Sequence, residues 1–378
     1  MSITAASRSR NARVPPSRDT GPLTWLRRNF FATPGSTVFT LAALAVLAWT
    51  LPGLIDWALI KATWSGGDRA LCDANPQGAC WTVIRMRFTQ IMFGLFYGGH
   101  PDQIWRPLLA FGLLVPIAGP LFLSGYRHKG WHLLALAVLY PLLAYGLING
   151  RLFGLIEAPT SQWGGFMLTF VLASVGIVAS LPLGILLAIG RRSRLPAIRI
   201  ICVTFIEAWR ANPLITVLFM VANLLPLFFP SDVDLDKVGR ALVAITLFQS
   251  AYTAEAVRAG LAAIPKGQFE AAHALGVSTF TAYRLVILPQ ALKISIPGIV
   301  NSFIELFKDT SLVAIIGLFD FLRMAQVVLR SPEWRGFEYE AYVFTALVYW
   351  VICCGMSKYS QGLEQRLHRG HANDLQAR

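Results

Sequence analysis

Three pairs of opposite charges stand inside otherwise apolar stretches of this 378-residue chain: Glu207 with Arg210, Glu255 with Arg258, and Lys308 with Asp309. Charge at membrane depth is costly, so each pair is a functional hypothesis by default. A spacing of three puts Glu207 and Arg210 on one helical face, where they can pair, and Glu255 and Arg258 repeat that spacing. The chemistry open to such groups is non-covalent: ion pairs that fix helix register, or a polar lining for a charged solute. Covalent chemistry has no candidate. The sequence holds no G-x-x-x-x-G-K-S/T run to cradle nucleotide phosphates, no H-E-x-x-H and no G-x-S-x-G, and its six histidines are scattered or terminal. The chain is expected not to be an enzyme, and to bind no metal or cofactor itself.

The elements that must position these charges are apolar helices. Of all residues 55% are hydrophobic and 14% charged, and the mean hydropathy is +0.55. A helical span needs about 20 mostly apolar residues. Eight stretches qualify, at 36–56, 108–124, 131–149, 165–190, 198–228, 238–263, 290–316 and 340–357. They are continuously apolar rather than alternating, which selects helices over a barrel. The fifth contains Pro213 and is expected to kink or break there. The fold class is thus an all-α polytopic membrane bundle of about eight helices.

Short loops set the orientation. Arg8, Arg10, Arg13, Arg18, Arg27 and Arg28 precede the first span against the single acid Asp19. Arg127 and Lys129 follow the second span, Arg191, Arg192 and Arg194 the fourth, Lys266 the sixth, and Lys358, Arg366 and Arg369 the last. The acids Asp232, Asp234 and Asp236 fall in an intervening loop. The positive-inside rule places both termini and the 266–289 loop in the cytoplasm. The net charge of +13 is then mostly membrane topology, and no nucleic-acid partner is expected. The span-one segment is too long for a signal peptide and lacks a small-residue cleavage site.

The loop between the sixth and seventh spans has its own order. Gln268 to Leu275 is built mostly of good helix formers, and Gly276 stands where a helix end wants φ > 0. Ser278 can cap a second short helix, and Pro289 suits the first turn of the next span. Within it, Glu270-Ala271-Ala272, Gly276, Val286 and Leu288-Pro289 resemble the signature loop of permease subunits of bacterial ABC importers: Glu-Ala-Ala, three residues, Gly, nine residues, an aliphatic, any residue, Leu-Pro. Val286, where Ile is usual, is the one departure. Glu207 to Leu214, Ser250 to Arg258 and Lys308 to Leu312 resemble the subfamily for polar L-amino acids, with Ala211-Asn212 in place of a usual Gly-Thr pair. The likeness covers about 200 residues.

That resemblance implies a five-span permease core over 160–360, preceded by a basic cytoplasmic tail (1–35) and a three-span extension with an outward loop (36–155), and followed by a cytoplasmic tail (361–378). It implies uptake of L-amino acids across a bacterial inner membrane. Two copies of an ATPase, carrying the ATP and Mg, would grip the cytoplasmic loops, beside a paralogous permease, a periplasmic amino-acid-binding protein and membrane lipid. The charged pairs would then meet an amino acid's ammonium and carboxylate, or hold helix register or a cytoplasmic gate. The extension shows no chemistry of its own and is expected to be dispensable for the pathway.

Cys72 and Cys80 fall in the outward loop with Asn75-Pro76-Gln77-Gly78 between them as a turn, so a disulfide is expected in an oxidising periplasm. No His lies at ligand-like spacing, which argues against a metal there. Cys202, Cys353 and Cys354 read as packing residues. Two other classes stay open at this level: an ion-coupled secondary transporter, which would usually show paired repeats, and a non-transporting membrane assembly protein. The amino acids carried, a hetero- or homodimeric pairing, and which charges touch substrate are not legible in the residues.

Overall fold

The computed structural model describes residues 21–123, 125–230 and 236–376, side chains of Pro22, Phe122 and 366–376 excepted. Arg8, Arg10, Arg13, Arg18, Asp19, Asp232, Asp234, and the side chains of Arg366 and Arg369 lie outside the described residues. The chain divides into two compact units. One comprises residues 1–64 and 70–79, the other residues 65–69 and 80–378.

In the first unit, α1 (Pro34–Ile55) starts at a capping box, Thr33 accepting from the Ser36 amide while Ser36 accepts from the Thr33 amide. Its side chains are all at least partly exposed, as an apolar helix facing lipid would be. After it, Thr63 N–H donates to the Ala79 carbonyl at 2.8 Å, and Ala79 N–H donates to the Trp57 carbonyl at 2.8 Å.

The second unit begins with α2 (Trp105–Ala118) and α3 (Tyr140–Asn149) and continues through α4 (Gly165–Gly190), α5 (Pro196–Ala211), α6 (Leu214–Asn223) and α7 (Lys237–Ala262). Two short helices, α8 (Lys266–Ala274) and α9 (Thr279–Ala282), lead into α10 (Leu288–Asp309). α11 (Phe321–Leu329) and the 39-residue α12 (Glu338–Gln376) complete it. Among the described residues strand structure is slight: a two-residue strand, Phe319–Asp320, and bridges of Gly94 with Trp163, Gly164 with Phe319 and Gly165 with Asp320.

Among the described residues five helices are long and apolar enough to cross a membrane, or six when α5 and α6 count as one broken span. The sequence expectation of eight spans includes α7 and α10, which are 26 and 22 residues long but carry charge. The fifth span breaks as Pro213 requires. Asn212 adopts the extended geometry forced on a residue before proline, and α5 and α6 meet at 103°. Lys308 and Asp309 do not interrupt the seventh span. They end it, because a 3-10 turn (Thr310–Ile316) and Gly317 at φ 81° follow. The stretch expected as a C-terminal tail continues α12 through Gln376.

α4 and α7 form the central pair. Gly184 permits their approach: a Cβ there would lie 2.6 Å from the Thr253 Cβ. One buried cluster runs from Phe93, Phe96 and Tyr97 through Ala110 and Ile148 to Met167, Leu172, Ile245 and Leu306. Residues of the expected extension thus share this core with the permease-like helices. A second cluster, including Leu187, Ile206, Val257, Ile287 and Ala291, gathers where α4, α5, α7 and α10 meet near the 266–289 loop.

Candidate functional site

The 266–289 loop folds as a rigid elbow. α8 ends in a Schellman closure, with Gly276 N–H donating to His273 at 2.9 Å and Val277 N–H to Ala272 at 3.2 Å. Gly276 takes φ 69°, which the closure demands and which a side chain would strain. Ser278 caps α9 by accepting from the Thr281 amide at 3.3 Å. A π-turn, Tyr283–Ile287, then joins α9 to α10 without a break. Pro289 thus stands at a helix junction, where the wider turn accommodates its missing N–H.

Glu270, Ala271 and Pro289 are exposed, Leu288 is half-buried, and Ala272 is buried against the body. Phe269 stacks edge-on to Tyr283 at 5.9 Å and closes the inside of the elbow. Its outside presents large apolar side chains: Leu275 is 81% exposed, Phe280 75% and Leu285 67%. Such a patch rimmed by polar residues marks a contact surface.

Above the elbow the charges meet across three elements. The Glu255 carboxylate receives Arg258 Nε at 2.9 Å to each oxygen, and Arg258 Nη2 at 2.5 Å. Arg210 Nη1 stands 3.5 Å from the same carboxylate and Arg191 Nη1 3.8 Å from it. Arg191 Nη1 also binds Glu207 at 2.9 Å. The Arg210 guanidinium lies 5.7 Å from the Tyr252 ring centre, and its Nε has no hydrogen-bond partner. Three arginines on two glutamates leave an excess of positive charge.

The spacing expectation holds geometrically for Glu255 and Arg258. It fails for Glu207 and Arg210: Glu207 turns to Arg191, and Arg210 turns to Glu255. By sequence alone Arg191 marks only topology. Nothing in its spacing shows that the turn after α4 aims it at α5 and α7. Lys308 and Asp309 contribute no ion pair to this cluster; Lys308 is exposed and Asp309 half-buried. Beside the α5–α6 break, Ala208, Trp209, Asn212, Val217, Met220 and Val221 line a cavity of about 200 Å³.

Cys72 and Cys80 are buried and carry no free thiol, whereas Cys202, Cys353 and Cys354 do. Among the described residues no three His, Cys, Asp or Glu side chains gather to hold a metal.

Comparison with known proteins places this architecture. Residues 180–369 match the family described as "Binding-protein-dependent transport system inner membrane component". A relative from Escherichia coli (strain K12), named "Inner membrane amino-acid ABC transporter permease protein YhdY", is 48% identical over 92% of this chain and 94% of its own. The chain belongs to this permease family. A second relative of this permease, the "Glutamate/glutamine/aspartate/asparagine transport system permease protein BztC" of Rhodobacter capsulatus, is 39% identical over 95% of this chain and 96% of its own. A solved chain described as "an amino acid ABC transporter with histidines" is 32% identical over 52% of this chain and 90% of that one, with a TM-score of 0.47.

Proposed function

We propose that this permease takes up L-amino acids across a bacterial inner membrane and couples that uptake to a separate ATPase through its 266–289 elbow. The observation that carries the reading is the elbow itself: two short helices fixed by a Schellman closure and displaying Leu275, Phe280 and Leu285. A rigid body with an apolar outer face suits docking into a partner's groove, and it can act as a lever because its inner face is packed. The names of the two long relatives support amino acids as the cargo.

In this reading both termini and the elbow face the cytoplasm. ATP and Mg bind on two copies of the partner ATPase, and this chain holds no cofactor. A paralogous permease supplies the other half of the pathway, and a periplasmic amino-acid-binding protein delivers cargo. The Arg191, Glu207, Arg210, Glu255 and Arg258 cluster, directly above the elbow in the chain's helices, acts as a cytoplasmic gate whose ion pairs exchange when the helices rock. A Cys72–Cys80 bridge orders the outward loop.

The test is uptake of a labelled amino-acid panel in a deletion strain carrying Phe280→Asp or the native chain. Native uptake with loss in Phe280→Asp, together with weaker co-purification of the ATPase, is the expected result. Uptake and co-purification both unaffected by Phe280→Asp would overturn the elbow assignment.

A further inference from the structure

Arg191 and Arg192 are neighbours at the end of α4 and point into different machinery. Arg191 bridges Glu207 on α5 and Glu255 on α7. The Arg192 guanidinium lies 5.6 Å from the ring centre of Phe269 in α8, and its Nη1 donates to the Leu261 carbonyl at 3.2 Å. That carbonyl belongs to the last turn of α7, where helix carbonyls lack intrahelical donors and favour a cation. The turn itself is tight. Arg191 N–H still bonds Leu187 at 2.9 Å, Arg192 N–H bonds Ile189 at 3.0 Å, and a Cβ on Gly190 would sit 2.4 Å from the Cys202 sulfur.

The elbow is joined by the chain to α7 and α10, so those helices must follow it. α4 and α5 have no such covalent link. Without a side-chain tie only their packing near the loop would move them, and the Arg191–Glu255 pair would be pulled from the α7 side alone.

We infer that Arg192 is a positioning residue that ties the end of α4 to the elbow through Phe269 and the Leu261 carbonyl, so that elbow displacement reaches the charge cluster through Arg191. This rests on the reading of the elbow as the ATPase contact and of the cluster as the gate. Arg192 faces the elbow rather than the charge cluster. Its effect is on coupling, the ratio of amino acid moved to ATP hydrolysed, which a purely structural role would leave unchanged in correctly assembled protein.

The experiment uses the complete transporter in proteoliposomes, with uptake and ATP hydrolysis measured together, with and without loaded binding protein. Arg192→Gln and Phe269→Leu should each lower uptake per ATP roughly tenfold, in the range of ordinary coupling energies. Arg192→Lys keeps a cation over the ring and should retain coupling. Native uptake per ATP in Arg192→Gln overturns the inference. Should that variant assemble poorly, a chain with Arg192→Cys and Phe269→Cys, and with Cys202, Cys353 and Cys354 changed to serine, still decides it. Its uptake per ATP should be low before, and recover after, treatment with a short thiol–thiol cross-linker. No recovery overturns the tie. Phe280→Asp run in parallel separates the levels: if it uncouples and Arg192→Gln does not, only this inference fails, and if it has no effect, the elbow reading fails.

Discussion

Arg106 donates from Nη2 to the carbonyl of Ile148 at 3.0 Å, with no part of its surface exposed. Its Nε reaches Leu147 at 2.8 Å and its Nη1 reaches Ile156 at 2.9 Å, while the rings of Phe96 and Tyr97 stack within 6 Å. One side chain from α2 thus closes the end of α3 and the strand of chain that leads to α4.

Arg106→Ala removes this donor from the Leu147 and Ile156 carbonyls, while Ile148 keeps the Tyr97 hydroxyl at 2.7 Å, and should cost about 3 kcal/mol. Thermal unfolding in detergent reads this directly. For the same reason a chain starting near residue 155, which removes Phe93, Phe96, Tyr97, Ala110 and Ile148 from the shared core, should unfold at lower temperature than the intact chain. Equal melting temperatures would show that the extension adds nothing to the stability of the core.

Glu255→Gln removes the charge that three arginines share and should reduce uptake at least tenfold, since like charges are left facing one another. Glu207→Gln should cost less, because Glu207 has one arginine and is 54% exposed. A double-mutant cycle on Arg191 and Glu207 is expected to give under about 1 kcal/mol, as for other exposed pairs. The reverse order of effects in uptake assays would count against Glu255 as the hub.

Gly276→Ala places a side chain at φ 69° with open space around it, so the penalty is backbone strain alone, about 1 kcal/mol. Uptake should fall modestly with membrane insertion intact. Gly276→Pro cannot adopt that φ and removes the N–H given to His273, so transport should be abolished. Normal uptake by a well-expressed Gly276→Pro chain would refute the elbow's rigidity.

Asp320 is fully buried and caps α11, accepting from Leu322 N–H at 2.9 Å and Arg323 N–H at 3.3 Å. Burial pushes its carboxyl from 3.8 to about 6, against the pull of those amides. The folded value lies above the unfolded one, so the stability it contributes is complete below pH 4 and is lost as pH rises through 6. Asp320→Asn keeps an acceptor without the charge and should gain on the native chain above pH 6. Asp320→Ala should lose about 1 kcal/mol at all pH values. Melting curves between pH 4 and 8 distinguish them.

Cys72 and Cys80 should resist alkylation in protein kept from reductant, and mass spectrometry should find them linked. Bridging so short a loop should contribute about 2 to 3 kcal/mol. Free thiols at both positions would refute the bridge, and labelling from the cytoplasmic side alone would overturn the orientation.

Much of this protein follows from local sequence. Continuous apolar runs have no structure open to them in a membrane except helices or a closed barrel, and lack of alternation selects helices. Pro213 breaks its span because a proline lacks an N–H and extends the residue before it. Gly276 ends α8 because the closure needs a left-handed residue. The elbow's motif spacing pointed to the family.

Only the tertiary structure decided which charges meet. Glu207 and Arg210 share a helical face, yet Arg191 arrives from another helix and takes Glu207, leaving Arg210 to Glu255. Partner choice across helices depends on their relative rotation and on the tight turn at Gly190, neither of which residue spacing encodes. Lys308 and Asp309 likewise read as interior charges until Gly317 and the 3-10 turn placed the helix end at them. The extension meets the permease core where Phe93, Phe96, Tyr97, Ala110 and Ile148 pack with Met167, Leu172, Ile245 and Leu306, contacts between distant positions that chain folding creates and sequence pattern does not announce.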